Sequence, residues 1–260
     1  MSKKRLGLGS IILGILAVAA FFVLAPQQNA QAAKKTVTFG ATGTSFPTSF
    51  KKNDKLTGFD VDVANTAAKR LGYKTKWVTA DFDGLFGSID NGKIDSVAND
   101  VAITKQRSDK YLFTSVYSYG ATAVAVQKGS KFKNLKDLEG HKVAAVMGSN
   151  NIDALKKYDK KIIIKTYESR DQAYSALNSG HVSGMVNTRP ILEATIKEKG
   201  LDWKVVKGSA KVNKIALPFK DDAHGKKLQK QFTKEINKMR KDGTLTKISK
   251  KYYGYDTTKE

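Results

Sequence analysis

The sequence predicts an α/β fold in two lobes, each a mostly parallel sheet flanked by helices, joined by a two-strand hinge. Three observations carry that reading. Short strand-like segments alternate with single amphipathic helices, the pattern that builds parallel sheets with helices on both faces. The alternation runs twice, over residues 36–99 and again over 142–206, without a visible internal repeat. Finally, an extended segment at 215–219 leads into two C-terminal helices. The chain is therefore expected to leave the first lobe near 119–124, build the second, and return near 214–218 to finish the first. This assigns residues 34–121 and 215–260 to lobe 1 and 122–214 to lobe 2.

Residues 1–32 read as a segment outside the fold. Lys3, Lys4 and Arg5 form a basic start, residues 11–24 are almost wholly apolar, and Ala30-Gln31-Ala32 fits a small-x-small processing site. That is the pattern of a secretory signal peptide. The alternative is an uncleaved anchor, since residues 6–24 approach the roughly 20 residues of a membrane span. The chain has no cysteine, which excludes an acylated-cysteine anchor, disulfides, iron–sulfur clusters and thiol catalysis. Without disulfides the exported domain must rest on its core, and a chain of this length can bury one of sufficient size.

The remaining elements follow in order. Residues 36–42 read as a strand, ending in a turn-rich stretch at 43–49. Residues 60–71 form a helix because Val61, Ala64, Ala67, Ala68 and Leu71 recur at spacings of three and four, with Gly72 as the stop. A strand at 75–78 and a short helix at 82–91 come next, then extended stretches at 96–99 and 112–126. In the second run, strands at 142–147, 162–166, 185–187 and 204–206 alternate with helices at 150–158, 170–179 and 191–199. Leu228, Phe232, Ile236 and Met239 make one apolar stripe, and Thr244 is expected to cap a last helix bearing Leu245, Ile248 and Tyr252.

Composition narrows the partners. The chain has 46 basic and 24 acidic residues; without the three basic residues of the leader, 43 remain against 24, a net charge of +19. Only six of the basic residues are arginine, and the lysines spread along the chain rather than clustering in one segment. Lysine is a hydrated point charge, less suited than arginine to bidentate phosphate recognition. Nucleic acid is therefore not the expected partner. A solvated lysine coat attracted to anionic cell-wall polymers accounts for the charge.

Ordered fragments identify a family resemblance. Lys55-Leu56-Thr57-Gly58-Phe59-Asp60-Val61-Asp62, Asp83-Gly84-Leu85, Gly92-Lys93-Ile94-Asp95 and Ile103-Thr104 with Arg107 come first. Leu138-Glu139-Gly140-His141-Lys142-Val143 and Asp242-Gly243-Thr244-Leu245 follow. In this order, over residues 36–254, they resemble the polar amino-acid-binding (family 3) extracellular solute-binding proteins of ABC importers. The resemblance implies a periplasmic-binding-protein-like (type II) fold, a monomer, a small-molecule amino acid as ligand and a membrane ABC permease as partner. It implies no cofactor and no metal. The location is then the outer face of the cell envelope.

A free amino acid carries a carboxylate and an ammonium, so its trap needs a fixed cation, a fixed anion and backbone donors. Arg107, just after a strand end, can pair with both carboxylate oxygens, and the resemblance places the family's carboxylate-binding arginine there. The alternative is an exposed surface arginine. Gly148-Ser149-Asn150 joins a strand to a helix, so its N–H groups would point at a carboxylate, and the resemblance implies that it is the one Arg107 holds; Ser149 can equally cap the helix. The resemblance puts Phe46 and Phe82 around the ligand side chain, against core packing as the alternative. Many family members have an aspartate for the ammonium where this chain has Asn187 and Thr188. Ala102 departs similarly in lobe 1, where a threonine is usual. Asp100 is the candidate replacement for the missing negative charge, against a solvent-facing or helix-capping role. The stretches Ala98-Asn99-Asp100, Tyr111-Leu112-Phe113-Thr114 and Gly148-Ser149-Asn150-Asn151 are similar to the cystine-binding branch, which makes cystine the leading ligand, with basic amino acids open.

An enzyme is not expected. His141, His181 and His224 show no ligand spacing, and neither a Gly-x-Gly-x-x-Gly nor a Gly-x-Ser-x-Gly motif is present. The fold does host a few dehydratases, but Asn187-Thr188 supplies neither acid nor base. The competing reading is a cell-surface adhesin holding anionic host or cell-wall polymers through its lysine coat. Such binding would vanish at high salt.

Overall fold

Alternating burial along Thr36–Ala41 places Val37, Phe39 and Ala41 in the interior, and this strand lies inside the first sheet. In the computed structural model, which describes residues 35–260, that sheet runs Lys74–Thr79, Thr36–Ala41, Ser96–Val97, Pro218–Lys220, Tyr111–Phe113. The expected leader, residues 1–32, lies outside the described residues. A second sheet runs Ile163–Tyr167, Lys142–Val146, Gly184–Thr188, Ser118–Gln127, Trp203–Val205, and Val212–Ile215 adds to it along Ser118–Gln127.

Both sheets are mixed. Strands connected by way of helices pair parallel, as the alternation implies. The strands that complete each sheet come from the segments running between the two sheets, and these pair antiparallel. For the same reason the extended stretch expected at 112–126 is two strands, Tyr111–Phe113 in one sheet and Ser118–Gln127 in the other. The segment at 215–219 likewise divides into Val212–Ile215 and Pro218–Lys220.

Each sheet packs on both faces. On the first, the helices Phe59–Arg70, Ala223–Lys241 and Thr244–Tyr253 bury Val63, Ala67, Phe232, Ile236 and Leu245 against Phe39 and Phe219. The opposite face carries Leu85, Ile89, Ile94 and Val97. On the second sheet the two faces are visible in four consecutive residues. Ala123 and Ala125 point into one cluster with Met185 and Leu192. Val124 and Val126 point into the other with Leu138 and Leu155, as the two-residue period of a strand requires.

Two local expectations are corrected. The stretch 43–49 is not merely a turn. It enters a three-stranded sheet of Thr44–Ser45, Ser49–Lys52 and Lys55–Thr57. The last two strands are joined through Asn53 and Asp54, both at positive φ (50° and 59°), which a tight hairpin turn demands. Thr244 does not cap its helix: Gly243 holds the cap position at φ 78° with no side-chain cap. The Thr244 N–H donates to Asp242 Oδ1 (3.0 Å), and its hydroxyl accepts from Arg70 (2.7 Å).

Gly58 shows why the Lys55–Ala64 motif needs its glycine. The first helix docks end-on against the hairpin loop, where the Phe59 and Asp60 N–H groups donate to the carbonyls of Pro47 (2.8 Å) and Thr48 (3.0 Å). Gly58 sits at φ 137°, and a Cβ there would lie 2.2 Å from the Thr48 carbonyl oxygen. Gly58→Ala is expected to destabilise the fold by at least about 2 kcal/mol. Urea unfolding checks this, and a loss under about 0.5 kcal/mol would contradict the close-packed junction.

Candidate functional site

Asp60, in the first turn of Phe59–Arg70, is 1 % exposed. Its Oδ2 accepts from the Asp100 N–H (3.0 Å), and its other oxygen accepts from the Tyr117 hydroxyl. This tie holds Asp100 at φ 55°, a left-handed conformation that aspartate and asparagine tolerate best among side-chain-bearing residues. The preceding Asn99 is also buried. Its Oδ1 accepts from the Thr42 N–H (2.9 Å), the Thr42 hydroxyl (2.9 Å) and the Ser49 hydroxyl. The end of the first strand, the hairpin and the Asn99-Asp100 turn are thereby fixed together.

These residues form one wall of a cleft of about 570 Å³, counting its open mouth. Thr42, Asp81, Phe82, Asn99 and Asp100 face Ser149, Asn150, Glu168, Arg170 and Asn187 from the second sheet's side. Five residues singled out in the sequence therefore meet here: Phe82, Asp100, Ser149, Asn150 and Asn187. Ser149 also caps the helix Asn150–Tyr158, its hydroxyl accepting from the Asn151 N–H (3.3 Å).

The other five lie off the cleft wall. Phe46 packs its ring on Phe50 (centroids 4.9 Å apart), and its carbonyl accepts from Arg170 Nη1 (3.0 Å). Ala102 is 1 % exposed and bridges to Ile215. Thr188 is buried at a strand end, so close to Gly120 that a Cβ there would lie 2.8 Å from the threonine Cβ. Arg107 and Gly148 line an adjoining recess that shares Ser149 and Asn150 with the cleft.

Arg107 is held there by local structure. It lies on the one-turn helix Lys105–Ser108, whose Thr104 cap accepts from the Arg107 N–H (3.2 Å). The guanidinium donates to the carbonyls of Ala102 (3.0 Å) and Gly148 (3.1 Å), the second contact joining the two sides of the seam. It sits 4.7 Å from the Phe86 ring centroid and 5.6 Å from that of Phe82, close enough for cation–π attraction. Burial lowers its pKa to about 10, so it remains charged at neutral pH.

Sequence reasoning missed Arg170. It opens the helix Arg170–Asn178, behind a capping box in which Ser169 and Gln172 exchange hydrogen bonds. The Ser-x-x-Gln spacing marks that helix start. Arg107 is singled out by its place after a strand end and by the family resemblance, and neither signal points to Arg170. Also missed was a chain of amides beneath the cleft. Asn150 Nδ2 donates to Asn213 Oδ1 (2.9 Å), Asn213 Nδ2 donates to the Thr122 hydroxyl (2.9 Å), and that hydroxyl donates to Asn151 Oδ1 (2.6 Å). The cleft loop is thus tied to both Ser118–Gln127 and Val212–Ile215.

The site combines an acidic pair with guanidiniums. Burial pushes the Asp60 and Asp100 carboxyls well above the usual carboxylate range, and the charge of Asp60 raises Asp100 further. Arg170 opposes both shifts, and Arg107 opposes that of Asp100. Such a constellation can hold an ammonium against carboxylate and a carboxylate against guanidinium. A carboxyl whose pKa is raised by folding binds more protons folded than unfolded, so its contribution to stability falls as pH rises through the folded pKa. Asp100→Asn removes that penalty and keeps a side chain suited to positive φ. The variant is expected to melt about 2–6 °C above the wild type at pH 8.5, with the gap closing near pH 4. Equal melting temperatures at both pH values would contradict the repulsive pair.

Residues 37–255 match the model of the bacterial extracellular solute-binding proteins, family 3. The chain is 44% identical over 225 residues to the probable amino-acid-binding protein YxeM of Bacillus subtilis, covering 85% of each chain. It is 32% identical over 230 residues to the L-cystine-binding protein TcyJ of Escherichia coli K12, covering 86% of this chain and 85% of that one. A solved structure from work on glutathione import through GshT and the cystine importer TcyBC of Streptococcus mutans is also similar. It superposes with a TM-score of 0.80 at 30% identity, covering 87% of this chain and 98% of that one. With this match over most of its length and the cleft between its two sheets, the chain belongs to the bacterial extracellular solute-binding proteins of family 3.

Proposed function

We propose that the protein captures an amino acid, with cystine the favoured ligand, in the cleft between lobes 34–121 with 215–260 and 122–214, and delivers it to a membrane ABC permease at the outer face of the cell envelope. The observation that carries this reading is a cleft seam holding a buried arginine, Arg107, whose hydrogen-bond partners are two neutral carbonyls. In this reading the ligand carboxylate takes its place against Arg107 and the Asn150 N–H, since the Ser149 N–H already donates to the Val146 carbonyl (3.1 Å), and the ammonium meets Asp100. Ser118–Gln127 and Val212–Ile215 act as the hinge. Ligand stabilises the closed form because it binds that form better, and the permease reads closure. Residues 1–32 serve as the export signal. Cystine is favoured by the similarity to a cystine-binding relative and by the absence of an aspartate at Asn187 and Thr188.

A thermal-shift screen of the common amino acids and cystine tests this. A ligand at 100 times its Kd adds about 2.7 kcal/mol of apparent stability, so cystine is expected to raise Tm by several degrees. Arg107→Ala, with an unchanged circular dichroism spectrum, is expected to weaken binding at least about 30-fold. A wild type that no amino acid stabilises would sink the reading.

A further inference from the structure

Arg170 lies in the cleft wall 7 % exposed, yet its guanidinium makes a single hydrogen bond among the described residues, to the neutral Phe46 carbonyl (3.0 Å). It forms no ion pair there, and neither does Arg107. Two buried guanidiniums, one on each side of the seam, are therefore without a carboxylate within 4.0 Å. A desolvated charge with most of its donors unfilled is costly unless an anion meets it. Resting on the amino-acid-binding reading above, a ligand with one carboxylate satisfies one of the two. Once its ammonium occupies Asp100, that carboxylate offsets Arg170 less.

We propose that Arg170 is a second carboxylate clamp, which selects ligands bearing two carboxylates, one for each guanidinium. The cleft wall also carries Asp81 and Glu168, exposed carboxylates with no ion-pair partner among the described residues, available to a second ammonium. A ligand with an amino-acid group at each end fits this lining; an amino acid with one such end and an uncharged tail leaves Arg170 unmatched. Arg170 meets its ligand from the second lobe, so it also rewards closure only when the second carboxylate is present.

Calorimetry at pH 7.5 on the wild type, Arg170→Gln and Arg170→Lys tests the assignment, with L-cystine as the two-ended probe and S-methyl-L-cysteine as the one-ended probe. The wild type is expected to prefer L-cystine. Arg170→Gln is expected to weaken L-cystine at least about 30-fold and S-methyl-L-cysteine less than about threefold. Arg170→Lys falls between, since it keeps the charge and loses the bidentate fork. Equal weakening of both probes would overturn the clamp, because an arginine that merely latches the lobes through the Phe46 carbonyl does that. Unchanged L-cystine affinity in both variants, or a wild type that prefers S-methyl-L-cysteine, would also overturn it. A wild type that binds no amino acid fails earlier and overturns the functional reading itself.

Discussion

Keeping guanidinium groups out of water with only carbonyl oxygens beside them is the constraint on which the cleft depends. Arg107 is 9 % exposed and stays charged, supported by two carbonyls and the faces of two phenylalanines. These contacts offset part of its desolvation and leave no opposite charge in contact. Arg170 has less support still. Facing them, Asp60 and Asp100 repel each other, and burial disfavours their ionisation. In the proposed reading a zwitterionic ligand adds the opposite charges that the protein supplies only at longer range.

The rest of the fold reads as the means of holding these charges in place. The Gly58 close approach seats the first helix on the hairpin, and the next residue but one, Asp60, reaches across to fix the Asp100 backbone. Beneath the cleft the Asn150–Asn213–Thr122–Asn151 chain joins the 148–151 loop to both crossing strands. The C-terminal residues lie over the same crossing: the Tyr119 N–H donates to the Thr257 carbonyl (2.8 Å). Tyr255 also donates to Glu193 (3.1 Å), on the helix Arg189–Lys199. The two crossing strands are thereby joined by hydrogen bonds to both the cleft loop and the C-terminal residues.

Much of this was legible in the sequence because it is local. Helices with an apolar stripe and a glycine stop, such as Phe59–Arg70 and Arg189–Lys199, fall within two residues of their expected bounds. Strands buried on both faces are legible as β-branched and alanine-rich runs between those helices. What failed was set by distant contacts. The breaks at 114–117 and 216–217 depend on which sheet each strand joins, and no residue within the stretch announces that. The small hairpin sheet depends on positive φ at Asn53 and Asp54, residues equally at home in a loop. At the site, Asp100 stood out as an odd charge in a known motif. Arg170 did not, because its burial comes from the opposite lobe and the spacing around it reports only a helix cap.

Closure of the two lobes on a ligand carrying both charges can be measured directly. The chain has no cysteine, so spin labels can be placed singly on each lobe, at Lys93 and Lys160, without removing native thiols. Dipolar spectroscopy then reports the distance between them with and without saturating L-cystine. The account predicts a broader distribution in the free protein that shifts and narrows on adding ligand. A distribution unchanged at full occupancy would contradict it.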